Sequence, residues 1–354
     1  MKKLFLSLLC LGLPLAAQEY KIAVVGLVHS HVWGHLGRMV AGEQARLVGI
    51  AETEPELIEA AKKRGATNVT FYSDYKKMLD ETRPDLVWAF VENNRHLEIV
   101  QACAPRKINV VFEKPLASSY KDALAIQKLA RQHGIQVMTN YQMAWWPANY
   151  AAKAAIDAGD IGKIYRLRGI VGHGGPGAPT GTNKYFVAWL YDPVKNGAGA
   201  LMDFGCYNAL WSLWYKGRPD TVYTTVQHLR PDLYPKVEDN ATMVLSYKDA
   251  VGIFEGSWNL PRSFQDLEIY SHDGSVYLKN GKVEMQKGKE VRELPLTPLP
   301  KEQSEPIAFM VSSLRNKKPI EGLTALDINV GVVEIIEAAK MSLATGKAVP
   351  LPLK

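Results

Sequence analysis

Ile108-Asn109-Val110-Val111-Phe112-Glu113-Lys114-Pro115 is the stretch that decides the fold. An apolar, β-branched run of this length reads as a buried strand. Pro115 disfavours helix at Lys114, so the strand ends at the lysine. A cation is thereby held at the carboxyl end of a buried strand, the edge at which open α/β sheets bind ligands. A lysine there can bond a hydroxyl and bias its proton. Taken alone, the tripeptide reads equally well as a solvated strand end.

The segments around it carry the same signal. Tyr20 to Gly26 is an apolar strand, followed by a predicted helix over Ser30 to Ala41. Ala45 to Ala51 is a second strand. Helices are expected at Glu54 to Arg64 and Asp74 to Glu81, a strand at Asp85 to Val91, and a helix at His96 to Cys103. After the Ile108 strand come a helix over Ser119 to His133 and a strand over Gln136 to Thr139. Strands alternating with helices at this spacing mean a parallel, doubly wound sheet. Past about Gln142 the pattern changes. Lys163 to Val171 reads as a long strand, Gly199 to Tyr215 as one helix, and Thr221 to Met285 as a run of β segments with turns. The expected second domain is α+β with a large, mostly antiparallel open sheet. Its last helix, Thr324 to Leu343, stops at Gly346.

The chain has 354 residues and a formal charge of +6. That length suits about two domains. No dense Lys/Arg block with interleaved aromatics is present, which argues against nucleic acid. Met1-Lys2-Lys3, the apolar run from Leu4 to Leu15 and small residues at Ala16-Ala17 read as a cleaved Sec-type signal peptide. The run is shorter than the roughly 20 residues that span a bilayer. The expected division is a signal at 1–17, a dinucleotide-binding domain at 18–142 and a substrate-binding and oligomerisation domain at 143–354, in a periplasmic or secreted protein with no stable membrane anchor. Beyond the leader, Cys103 and Cys206 fall in different domains, so no disulfide framework is expected.

The first βα turn is Gly26-Leu27-Val28-His29-Ser30-His31. A dinucleotide fingerprint would read G-x-G-x-x-G, and Val28 and His31 stand where it has its second and third glycines. The turn still offers a helix N-terminus to a phosphate. Glu52 directly follows the second strand. There it can accept hydrogen bonds from an adenosine ribose, and it would repel a 2′-phosphate, favouring NAD over NADP. It also reads as an ordinary acid at a helix start. His29, His31 and His35 have no acidic or cysteine ligand close in sequence, so no metal site is expected and the imidazoles are placed along the phosphate turn. On one helix, Asp203 and Tyr207 would project together. A carboxylate and a phenol suit orientation and proton transfer at a carbinol, and Lys114 is expected to lower the phenol pKa. The plainer reading is a capping Asp and a core Tyr. Aromatics including Tyr141, Trp145, Trp146 and Trp189 crowd the second half. Their faces suit sugar rings, although scattered aromatics are more often core.

With Gly26, Glu52, Asn93-Asn94-Arg95-His96, Glu113-Lys114-Pro115 and Gly197 to Tyr207 in this order, the chain resembles the glucose–fructose oxidoreductase/inositol dehydrogenase (Gfo/Idh/MocA) family from about Tyr20 to its end. The resemblance implies a Rossmann domain, a homo-oligomer (dimer or tetramer) and hydride exchange between NAD and a sugar or cyclitol CH–OH group. It implies a cofactor site of Gly26, Leu27, Val28, His29, Ser30, His31, Glu52, Asn93, His96, Glu113 and Lys114. Catalysis falls to Lys114, Asp203 and Tyr207, and Tyr141 and Trp189 join them around the substrate. Tyr207 stands where many members carry histidine, which leaves His29 or His31 as the alternative proton carrier. The leader motivates a second reading, a glycosidase whose bound NAD is recycled through oxidation, elimination, water addition and reduction. Such a cofactor needs no external pool.

Overall fold

The computed structural model describes residues 19–176 and 183–354. The expected signal peptide lies outside them. The first layer runs β1 (Lys21–Val25), α1 (Val32–Ala41), β2 (Arg46–Ala51), α2 (Pro55–Lys63), β3 (Phe71–Tyr72), α3 (Tyr75–Thr82), β4 (Leu86–Ala89), α4 (His96–Cys103), β5 (Asn109–Glu113), α5 (Tyr120–His133) and β6 (Val137–Asn140). The strands form one parallel sheet in the order 3-2-1-4-5-6. Local chemistry sets the helix ends. The Asp74 carboxylate accepts from the amides of Lys76 and Lys77, and Ser119 Oγ from that of Asp122. Gly42 and Gly134 stop α1 and α5 in the left-handed region.

The second half contributes α6 (Pro147–Asp157), β7 (Ile164–Gly172), α7 (Lys184–Leu190), α8 (Ala200–Asp203) and α9 (Gly205–Tyr215). There follow β8 (Thr221–Gln227), β9 (Asn240–Tyr247), β10 (Ala250–Ser257), β11 (Phe264–Ser271), β12 (Ser275–Lys279), β13 (Lys282–Lys287) and β14 (Glu290–Glu293). The chain ends with α10 (Pro306–Asn316), α11 (Leu326–Thr345) and β15 (Val349–Pro350). The second sheet has the order 14-13-12-11-7-10-9-8-15 and is antiparallel except where β7 pairs with β10. Its inner face packs on α9, where Leu210 and Trp211 join Leu245, Phe254 and Leu267 in one core.

The Rossmann sheet is covered on both faces. Ile22, Val24, Trp88 and Val111 pack with Leu36 of α1. Ala23, Val87 and Val110 face the other way, onto Ile99 and Val100 of α4 and Ile126 of α5. Two late segments complete these faces. Ile307, Met310 and Val311 of α10 join the first, and Val330 and Val333 of α11 join the second. The chain therefore returns to its first domain after building its second.

The expected single helix over Gly199 to Tyr215 is broken at Phe204. The Asp203 carbonyl accepts from Lys114 Nζ at 3.2 Å and from Cys206 Sγ at 3.3 Å. That carbonyl leaves the helical ladder to serve the lysine, which is why α8 stops there.

Candidate active site

Strand β5 ends with two charged residues that face different partners. Glu113 Oε2 bonds His31 Nδ1 at 2.8 Å, across to the first βα turn. Its other oxygen accepts from Asn140 Nδ2 at 2.8 Å, and Asn140 Oδ1 accepts from Trp145 Nε1 at 2.8 Å. Lys114 turns instead to the second domain and pairs with the Asp203 carboxylate, whose Oδ2 accepts from Trp258 Nε1 at 2.8 Å. The lysine and aspartate side chains are 7% and 8% exposed. Burial opposes charge on both. Mutual attraction outweighs it, holding the Lys114 pKa above and the Asp203 pKa below their ordinary values.

Glycines let this junction close. A Cβ on Gly197 would meet Met202 Cε at 2.5 Å and Ser118 O at 2.7 Å. On Gly199 it would meet Glu238 O at 1.9 Å. Asn93 reaches the same loop, its Nδ2 donating to Asn196 Oδ1 at 2.8 Å. Asn93 therefore ties the two domains together.

Tyr207 lies with its ring 5.2 Å from Lys114 Nζ, and Tyr141 meets it edge-on at 5.2 Å between centroids. The expected lowering of the Tyr207 pKa is not found. Burial pushes it up, and the Lys114 charge only partly opposes this. The phenol keeps its proton across the physiological range. Tyr141 is fully buried and supports Tyr207 from behind. Trp189 sits on the dinucleotide side, its ring 5.5 Å from that of His29. His96 is enclosed, stacked on Phe112 at 4.2 Å with Nδ1 on the Leu116 carbonyl. Burial lowers its pKa to about 4.

The bonds also assign the ring protons. Burial opposes ionisation of Glu113, but the His31 bond outweighs it and the carboxyl lies below its usual range. His31 Nδ1 then donates, and its Nε2 carries a lone pair when the ring is neutral. The His31 side chain is 43% exposed. His29 is the reverse case: its Nδ1 accepts from the His31 amide at 3.2 Å, so its neutral ring holds the proton on Nε2. Burial, aided by neighbouring cations, keeps its pKa low. His29, His31 and Glu113 each bring a donor atom within 4.8 Å of the others. With both Nδ1 atoms engaged, the trio reads as a hydrogen-bonded cluster. Sequence spacing hid Glu113 from this turn because the contact crosses the sheet.

The turn suits a dinucleotide. Gly26 has φ +77°, and a Cβ there would meet Val91 Cγ1 at 2.6 Å. Among the described residues, the amides of Val28 and Ser30 meet no acceptor, leaving donors at the N-terminal end of α1. His31 replaces a glycine without blocking the turn because its ring is drawn to Glu113. Glu52 accepts from the amides of Leu27 at 2.7 Å, Thr53 at 2.7 Å and Glu54 at 3.0 Å. It borders a cleft of about 190 Å³ with Gly26, Val28, Tyr75 and Arg95. Free backbone donors and an adjacent acidic acceptor fit the pyrophosphate and ribose of NAD.

The family description "Oxidoreductase family, NAD-binding Rossmann fold" matches residues 20–141, and "GFO/IDH/MocA C-terminal domain" matches 150–277. The chain belongs to the Gfo/Idh/MocA family. It is 28% identical over 252 residues to levoglucosan dehydrogenase of Pseudarthrobacter phenanthrenivorans, covering 64% of this chain and 63% of that one. It is 23% identical over 271 residues to myo-inositol 2-dehydrogenase of Thermotoga maritima, covering 73% and 75%. The match to the first of these thus spans less than two thirds of that relative. A solved levoglucosan dehydrogenase in complex with NADH and levoglucosan shares the fold at a TM-score of 0.78 and 21% identity, covering 95% of this chain and all of that one.

One residue at this junction escapes a reading of the sequence. His173 follows β7 and sets its ring edge-on to Phe204 at 5.0 Å. Burial lowers its pKa, with Asp203 opposing and Lys114 assisting. Its sole sequence signal is its place beside a glycine-rich loop.

Proposed function

We propose that this protein oxidises a CH–OH group of a sugar or cyclitol with NAD, and catalyses the reverse reduction. The observation that carries this is the buried Lys114–Asp203 pair at the ligand edge of β5, beside a turn that fits a dinucleotide. Bound at that turn, NAD supplies the hydride acceptor. Lys114, fixed by Asp203, donates to the carbinol oxygen and stabilises the alkoxide as its proton leaves. Tyr207 stays protonated and donates a second hydrogen bond. His31 Nε2 takes the carbinol proton, with the Glu113 carboxylate stabilising the imidazolium that forms. The assignment replaces a phenolate base, which burial of Tyr207 disfavours. The test is NADH formation at 340 nm over a panel of aldoses, inositols and glycosides. A protein that binds NAD and reduces it with no member of the panel would refute the proposal.

The apolar leader favours export, and with it the self-recycling glycosidase as a second reading. Absorbance and mass analysis of protein isolated without added cofactor separate the two. Retained stoichiometric NAD with glycoside cleavage and no net NADH supports the glycosidase. Exchangeable NAD with net NADH supports the dehydrogenase.

A further inference from the structure

A cleft of about 450 Å³ has His173 and Phe204 in its lining. Phe204 is the shared wall. Its ring centroid lies 5.8 Å from Lys114 Nζ, and the His173 ring meets it edge-on. The volume falls within the roughly 300–1,000 Å³ of small-molecule sites. Trp146 and Phe204 supply aromatic surface. Gln142 and Gln265 line the cleft, and among the described residues neither side-chain amide has a hydrogen-bond partner. His173 Nδ1 accepts from the Gly175 amide at 3.0 Å, so its neutral ring carries the proton on Nε2 as a fixed donor.

We propose that this cleft is a second glycosyl subsite, and that the natural substrate is a disaccharide or other glycoside whose neighbouring ring is held there while Lys114 engages the ring being oxidised. The proposal rests on the oxidoreductase reading above and names its substrate class. An aromatic surface ringed by unspent amide and imidazole donors suits the apolar face and hydroxyl rim of a sugar. Asp266 lines the cleft and pairs with Arg262 at 3.3 Å, and no lysine or arginine is itself in the lining among the described residues. That lining supplies no cation to the phosphates of a sugar nucleotide. It also gives a free monosaccharide nothing to fill the space with.

The test is calorimetric titration of the NADH-loaded full chain with glucose, methyl glucoside, a set of α- and β-linked disaccharides, and UDP-glucose. Turnover of the same compounds is measured in parallel. At least one disaccharide should bind about tenfold or more tightly than the monosaccharide. Trp146→Ala and Gln265→Ala should each weaken disaccharide binding by about tenfold and leave monosaccharide binding unchanged. Disaccharide binding with hydride transfer from none of these compounds nor from any member of the panel above upholds the subsite and refutes the oxidoreductase reading. Equal binding of mono- and disaccharide, preference for UDP-glucose, or variants that weaken both sugars alike overturns the subsite even if turnover is observed.

Discussion

Glu113 and Lys114 are consecutive residues, yet they anchor two unlike charge pairs. Toward the second domain, Lys114 and Asp203 are both buried, and each holds the other ionised. Toward the dinucleotide turn, Glu113 is buried while His31 is nearly half exposed, and imidazole is a cation only when protonated. The first pair is permanent and suits electrostatic positioning. The second can change charge and suits proton movement. One strand end thus carries a permanent ion pair and an exchangeable one on neighbouring residues.

The largest expected effect lies on the permanent side. Lys114→Ala should reduce turnover by about a hundredfold or more. It also strands a buried carboxylate, which costs roughly 3–5 kcal/mol of stability. Asp203→Asn in the same chain removes the stranded charge and should restore much of the thermal midpoint without restoring activity. A folded Lys114→Ala enzyme of near-normal rate would break the comparison.

The exchangeable side is tested next. His31→Ala should lower turnover by about two to four orders of magnitude. Tyr207→Phe removes one neutral hydrogen bond, and the expected loss is about tenfold. Glu113→Gln should fall between them, since the imidazole stays but loses its carboxylate. Parallel NAD titrations separate chemistry from cofactor loss. An inactive Tyr207→Phe beside an active His31→Ala would return the proton to the phenol.

The enclosed histidine behind this strand end gives a pH effect on folding. His96 has a folded pKa of about 4 against 6.5 in an open chain, so the unfolded state binds its proton first as pH falls. Its contribution is complete above pH 6.5 and declines through that window to about pH 4, by roughly 3 kcal/mol. The lowered values of His29, His35 and His173 act in the same direction. Urea midpoints measured across this range should fall with acidity, and His96→Phe should flatten part of the fall. An equal slope in the variant would show that His96 is not the linked group.

The two sides also differ in how far the sequence reveals them. The Rossmann strands are legible because each is a buried run bounded by turn chemistry, and Lys114 because Pro115 ends its strand. Asp203 and Tyr207 could be named from their spacing, but not the break at Phe204, which depends on a lysine 89 positions earlier in the chain. Helix α10 escapes because its apolar face is completed by Val111 and Met138, which belong to the other domain. Likewise Glu113 reaches His31 across the sheet, a contact that no local pattern encodes. The rise in the Tyr207 pKa follows from burial, which spacing does not report.

The smallest expected effect concerns Glu52, on the cofactor side. Its carboxylate is already held by three backbone amides, so it is a fixed negative charge rather than a flexible one. Fixed there beside Gly26 and Arg95, it can accept from ribose hydroxyls and oppose a 2′-phosphate. Glu52→Gln keeps the shape and removes the charge. NAD affinity should fall by only a few-fold while NADP affinity rises, so that the ratio of the two dissociation constants shifts toward NADP by about tenfold, roughly 1.4 kcal/mol. Fluorescence titration with NADH and NADPH measures both. The Leu27 amide then faces a neutral acceptor, which weakens the turn slightly in both titrations and cancels in the ratio. An unchanged ratio would mean that the ribose lies elsewhere, and that Glu52 serves solely to hold the turn against β2.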